Sequence, residues 1–250
     1  MNIVFDIETI PLQDASLIAE LKAEHFAKLP EIMAAVKAPG NYRDEAKIAE
    51  YVASERAKIE AGHGAEFDEW HLKTSFDGGL GQACCIGFAV DDAPAFCYYV
   101  KDSSAAEERQ MFEAFFSHIL DARSIGDRLV FIGHNSNAFD IPFIWKRCIV
   151  LGVEPPMFFP RDPKPWGEST FDTMIAWNGV GSRAGGSMDR ICKILGLPGK
   201  GGMDGSQVWP MFQAGRIKEI AAYCAGDVER TRAMHARMTF AVRADVAMAA

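Results

Sequence analysis

The sequence predicts an α/β fold: a mixed sheet flanked by helices, with a helical insertion after the first strand. Three observations predict it. The chain opens on Ile3-Val4-Phe5, a short apolar run of the kind a buried central strand gives. Two more apolar runs, 83–90 and 95–100, are joined by Asp91-Asp92-Ala93-Pro94, a hairpin signal. Between the first strand and this hairpin lies a charged, helix-patterned stretch of mixed sign, and after the hairpin helical patterns dominate.

Taken in order, Pro11 ends the first strand, and Asp14 to Leu29 reads as an amphipathic helix stopped by Pro30. Pro39-Gly40-Asn41 is a turn. A second helix is expected from Asp44 to Ala61, with Ile48, Tyr51, Val52 and Ile59 on one stripe and Gly62 as its stop. Residues 12–80 thus read as a helical insertion, a cap on the sheet. Ser104 can cap a helix from about Ala105 to Leu120, with Met111, Phe112, Phe115, Phe116 and Ile119 facing a core. Leu129 to Gly133 is another buried strand, and Phe139 to Leu151 a helix ending at Gly152. A loop with five prolines follows. Ser187 opens a helix over Met188 to Leu195, stopped by Gly196, and a long helix runs from about Arg216 to Val242. There is no internal repeat, and 1–250 reads as one domain.

Length and composition are those of a globular chain: 250 residues, 49% hydrophobic and 24% charged. The net charge of −8 argues, taken alone, against a phosphate-rich partner. The six cysteines show neither a Cys-x-x-Cys pair nor zinc-spaced histidines, and most lie in apolar runs. Reduced, buried thiols imply the cytoplasm. No signal peptide is read before the first strand, and no apolar run nears the ~20 residues of a membrane span.

Chemistry gathers at three places. In Phe5-Asp6-Ile7-Glu8-Thr9, Asp6 and Glu8 are two apart on a strand, so both carboxylates leave the same face. Like charges that close repel unless a cation lies between them, and hard oxygen ligands suit Mg²⁺ or Mn²⁺. An acidic strand end in solvent is the plainer reading. In His134-Asn135-Ser136-Asn137-Ala138-Phe139-Asp140, a buried strand runs through a polar turn into a helix, and Asp140 could simply cap that helix. Phe139 and Phe143 read as core. On the last helix, Tyr223 and Asp227 stand one turn apart, beside an inward stripe of Ile220, Cys224, Val228 and Thr231. A lone Asp227 there would need a buried cation, with Arg216 or Lys193 as candidates.

In that order the three motifs resemble the DEDDy branch of the DnaQ-like 3′–5′ exonucleases, whose fold is ribonuclease-H-like. Their wording is similar to the proofreading domains of family-B DNA polymerases and to stand-alone bacterial proteins of that type. The resemblance covers Ile3 to Thr9 and about Ala83 to Met238, and leaves out 12–80, where a short hairpin is usual. It implies a metal-dependent 3′–5′ exonuclease acting on single-stranded 3′ ends, DNA before RNA. Asp6, Glu8, Asp140 and Asp227 would hold two Mg²⁺ or Mn²⁺ ions: Asp6 both, Glu8 and Asp227 the first, Asp140 the second. Tyr223 would orient the attacking water. Thr9, Asn135 and Phe139, neighbours of the motifs, are candidate substrate contacts. Asp172 reads as a helix cap or as a supporting carboxylate, and His134 as a hydrogen-bonded turn residue.

The negative total is compatible with this substrate because charge is unevenly spread. Residues 183–218 hold Arg183, Arg190, Lys193, Lys200, Arg216 and Lys218 against Asp189 and Asp204. Gly199-Lys200-Gly201-Gly202 lacks the spacing of a nucleotide cradle and reads as a flexible loop. A phosphatase is disfavoured because no Asp-x-Asp-Gly-Thr follows the strand. The remaining alternatives are an RNA- or oligonucleotide-degrading enzyme of the same fold, and a silent nucleic-acid-binding module. A role in proofreading or DNA repair would need a separate polymerase or repair partner.

Overall fold

The computed structural model describes residues 1–181, 186–199 and 201–242. Its centre is a five-stranded mixed sheet in the order β3-β2-β1-β4-β5. The central β1 (Asn2–Ile10) runs further than the apolar run that announces it, because Asp6 to Ile10 stay paired with β2 (Gln82–Val90). β3 (Phe96–Tyr99) returns antiparallel to β2 through the predicted hairpin, where Asp91 turns the chain at φ 47°. β4 (Val130–Gly133) and β5 (Thr170–Asp172) add in parallel on the other side of β1. β5 has three residues, too few for a period-two pattern to register, and the sequence does not announce it.

The segment after β1 is helical, as expected, but its boundaries differ. α1 (Ala15–Ala27) is capped by the Asp14 side chain, which accepts from the Ser16 and Leu17 N–H groups. Pro30 does not simply stop it; α2 (Leu29–Ala35) carries that proline in its first turn, where a missing N–H costs nothing. α3 (Glu45–Lys73) runs straight through Gly62, the predicted stop. A helical glycine costs only ~1 kcal/mol relative to alanine. Packing beyond it outweighs that: His63 and Phe67 are buried, and the His25 and His63 rings stack at 3.9 Å. Each of these histidines also bonds the other's carbonyl through Nε2 at 3.0 Å, stitching α1 to α3. A 3₁₀ turn at Thr74–Phe76 leads back to the sheet.

Up to the register irregularity after Glu8, odd-numbered residues of β1 face one core and even-numbered residues another; beyond it Ile10 joins the first core. Ile3, Phe5 and Ile7 pack under α4 (Ala105–Ala122) and α5 (Asp140–Leu151), whose Met111, Phe112, Phe115 and Ile144 are all buried. Each such side chain contributes ~1.5–3 kcal/mol relative to exposure. On the opposite face Val4, Ala89 and Ile132 meet Val228 of α9 (Ile217–Met238). α6 (Thr173–Asn178) and α7 (Met188–Leu195) pack on α9, the latter through Ile191, Cys192 and Met234. α8 (Val208–Gln213) precedes α9 and touches β1. Among the described residues no helix is long and apolar enough to cross a membrane.

Candidate metal centre

β1 presents Asp6 and Glu8 on its even face, towards α9, and α9 lowers Asp227 onto them. One carboxylate oxygen of each lies within 4.8 Å of the others. The approach depends on Gly87, which pairs with Asp6 across the sheet. A Cβ there would sit 2.9 Å from the Cys224 sulfur, so only glycine lets α9 settle this deep. Glu8 keeps 9% and Asp227 3% of its surface exposed. Three acids converging with so little water favour a cation among them, and an all-oxygen donor set fits Mg²⁺ or Mn²⁺.

Asp140 is not a member of that trio. β4 stops pairing with β1 at Val4, and Asp140 Oδ1 accepts the Ile7 N–H beyond it at 3.2 Å. The carboxylate is thus tied to β1 between Asp6 and Glu8, and not used as a cap: the N-cap of α5 is Phe139, with no side-chain bond. Burial, and next to it the charge of Asp172, pushes the Asp140 carboxyl up to about 7, although the Ile7 N–H opposes the shift.

Asp172 fills both roles open to it. It caps α6 through the Met174 and Ile175 N–H groups, and it accepts the Asn135 and Asn137 N–H groups at 3.0 Å each. It therefore holds the turn that delivers Asp140. Asn135 needs that support, since its φ is 63°. His134 is a bonded turn residue as expected, its Nδ1 2.9 Å from the Thr173 hydroxyl.

Tyr223 stands one turn before Asp227 and is half-buried. Burial raises its pKa far above the usual phenol value, and the charges of Asp227, Glu8 and Asp6 add to this; the hydroxyl also bonds Asp227. The phenol keeps its proton. One turn after Asp227, Arg230 Nη1 bonds Asp227 Oδ1 at 2.6 Å. Arg230 is the partner in place of the expected Arg216 or Lys193; Arg216 forms a two-pronged bond to Glu219. The signal for Arg230 was its three-residue spacing from Asp227 on one helix.

Beside the acids, a cleft of about 560 Å³ is lined by Glu8, Thr9, Phe139, Phe76, Trp209 and Lys73 among others. Thr9 and Phe139 line it and Asn135 does not. The Thr9 hydroxyl donates to Ser75 O at 2.7 Å, tying β1 to the 3₁₀ turn after α3. Phe76 of that turn is 72% exposed, its ring 6.3 Å from Phe139. Sequence reasoning missed Phe76 and Trp209, because an aromatic that lines a cleft is indistinguishable in sequence from one in a core. Arg183 and Lys200 of the basic span lie outside the described residues, so the glycine loop expected around Lys200 is described only at Gly199, Gly201 and Gly202.

The family of predicted 3′–5′ exonucleases related to the exonuclease domain of PolB matches residues 82–247. That match takes in Asp140, Tyr223 and Asp227; β1, with Asp6 and Glu8, lies before it. No curated protein matches the chain. Among solved structures, the chain is similar to the family B DNA polymerase of the hyperthermophilic archaeon Pyrobaculum calidifontis, at 15% identity and a TM-score of 0.53. The likeness covers 94% of this chain and 24% of the polymerase, so the chain spans about a quarter of that protein's length. At this identity it shows the fold: a ribonuclease-H-like mixed sheet flanked by helices.

Proposed function

The chain belongs to the family of predicted 3′–5′ exonucleases related to the exonuclease domain of PolB, and from that premise we propose that it is a metal-dependent enzyme removing nucleotides from single-stranded 3′ ends, DNA before RNA. The observation that carries this reading is the meeting of Asp6, Glu8 and Asp227 within 4.8 Å, from a strand and a helix far apart in sequence. In this reading residues 1–250 form one exonuclease domain, with 12–80 as its insertion. The six free thiols support a cytoplasmic setting.

Asp6, Glu8 and Asp227 would hold one Mg²⁺ or Mn²⁺, and Asp6 with Asp140 a second. Such ions would supply a hydroxide nucleophile at neutral pH, by lowering the pKa of bound water, and would offset charge on the departing 3′ oxygen. Tyr223 keeps its proton, donates a hydrogen bond through it to Asp227, and offers its oxygen lone pairs to the attacking water. It orients; it is not the base. Arg230 holds one oxygen of Asp227 and fixes the direction of the other. Phe76, Phe139 and Trp209 supply ring faces on which unpaired bases can stack, sequence-tolerant contacts suited to single strands. The likeness to a DNA polymerase supports DNA as the first substrate to try.

The test is cleavage of 5′-labelled single-stranded DNA and RNA with Mg²⁺, Mn²⁺ or EDTA, beside Asp6→Asn and Asp227→Asn. A ladder shortening from the 3′ end, lost in EDTA and in both variants, is expected. Intact substrate under every metal, from folded protein, would leave a nucleic-acid-binding module.

A further inference from the structure

Next to the oxygen cluster lies a sulfur cluster. Cys85 on β2, Cys97 on β3 and Cys224 on α9 bring their sulfurs within 4.8 Å of one another. Their spacing in sequence conceals this; the sheet register explains it. Asp6, Gly87 and Cys97 form one row across β1, β2 and β3, and Cys85 lies two residues from Gly87 on the same face. Cys224 drops into the space above Gly87 that no other residue would leave. Its sulfur is then 3.4 Å from Asp6 O and 3.5 Å from Asp6 Oδ2. The two clusters touch through Cys224 and Asp6.

Buried cysteines usually serve as small apolar fillers. Cys148 fits that description: it sits in the main core, and burial pushes its thiol up to about 12. The trio differs, because sulfurs from three elements meet one another. Hydrogen bonds from Cys224 and then Cys85 lower the Cys97 thiol from its usual value, the direction a cation-binding sulfur needs. Cys97 is half-buried on the edge strand, which leaves a path from solvent.

We propose that Cys85, Cys97 and Cys224 bind a thiophilic cation of the Zn²⁺ class, with the Asp6 carboxylate as fourth ligand. Tetrahedral zinc with Zn–S near 2.3 Å sets sulfurs ~3.8 Å apart, a separation inside the 4.8 Å within which the three sulfurs lie. Each thiol that becomes a ligand releases its proton to solvent as the cation binds. Mg²⁺ does not compete for the three sulfurs, since hard cations avoid sulfur; Asp6 is the one ligand the two cations would share. Drawing Asp6 towards the sulfurs removes it from the oxygen cluster, so zinc silences hydrolysis. That consequence rests on the exonuclease reading; the binding does not.

The full reduced chain, titrated with Co²⁺ as the zinc probe in excess Mg²⁺, tests the site directly. The expected spectrum has a thiolate-to-cobalt charge-transfer band and tetrahedral d–d bands, saturating at one equivalent and bleached by Zn²⁺. Cys97→Ser, at a half-buried edge position, loses the band; Asp227→Asn keeps it. Zinc inhibition of cleavage, relieved in Cys97→Ser, reports the consequence. A weak octahedral spectrum with no thiolate band, or a band that survives Cys97→Ser, overturns the proposal. A thiolate band in a protein that cleaves nothing upholds the site and sinks the exonuclease reading alone.

Discussion

Buried carboxylates occur on both sides of the sheet, one acid to one arginine on the first and three acids to one arginine on the second. On the α4/α5 side, Glu108 receives Arg147 Nη2 at 2.6 Å and Nε at 2.9 Å, and the Ala83 N–H at 2.8 Å. The remaining Arg147 nitrogen reaches Gly78 O at 3.4 Å. Burial raises the Glu108 carboxyl, and Arg147 pulls it back. On the α9 side, Asp6, Glu8 and Asp227 face one another. The difference teaches that burial of an acid does not mark function; its neighbours do. Glu108 meets one arginine and locks α4 to α5, whereas on the α9 side three acids share one ion pair, Arg230 on Asp227, and the excess negative charge costs stability until a cation binds.

The comparison breaks most visibly on activity. Asp227→Asn should lower kcat at least ~10³-fold, the several kcal/mol a metal supplies to such a transition state. The same change should raise the melting temperature of the EDTA-treated protein, because it relieves repulsion. A melting temperature that drops instead would mean that Asp227 acts chiefly through Arg230, as structure. Glu108→Ala is the mirror experiment. Stranding Arg147 should cost ~3–5 kcal/mol in denaturant unfolding, with kcat per folded molecule unchanged.

Those contrasting outcomes also mark what the sequence reveals. Asp6 and Glu8 are legible because strand period two puts neighbours in sequence on one face, and Tyr223 with Asp227 because one helical turn does the same. Packing of α4 was legible too, each of Met111, Phe112, Phe115, Phe116 and Ile119 being buried. Glu108 with Arg147, or Cys85 with Cys97 and Cys224, are brought together only by the register of elements distant in sequence. Local pattern holds no record of that. Gly62 failed as a stop for the same reason, since the packing of His63 and Phe67 decides it.

Tyr223→Phe sharpens the α9 side further. Loss of the hydroxyl should reduce kcat about 10²-fold. Because the phenol stays protonated, the alkaline limb of the pH profile should keep its position. A limb that moves would make Tyr223 the base. Asp140 supplies a pH test on stability. Its carboxyl sits at about 7 when folded and near ~3.9 when unfolded, so the native state holds the extra proton between them. Stability of the metal-free protein is therefore full below about pH 4 for this group, and falls as pH rises through about 7. One proton is worth ~1.4 kcal/mol per pH unit, so ~2 kcal/mol should separate pH 5 from pH 6.5 in EDTA. Asp140→Asn should flatten that slope, and Mg²⁺ should too. Glu108→Ala removes a second raised carboxyl and so is not a control for this slope; the Asp140→Asn difference is read against the unsubstituted chain.

The smallest effect tests whether the helical segment serves the acid cluster or merely covers the sheet. Phe76 is mostly exposed and belongs to neither carboxylate group, yet it borders the cleft that begins at Glu8. If bases stack there, Phe76→Ala should cost about 1 kcal/mol, read as a roughly fivefold rise in KM with kcat unchanged. Its melting temperature should not move, since little of its ring is buried. Phe76→Trp should restore or improve KM, a rescue that a hydrophobic cover would not show. An unchanged KM in both variants would assign the turn after α3 to the architecture, on the side of Glu108 and Arg147, and leave Phe139 and Trp209 as the stacking surface.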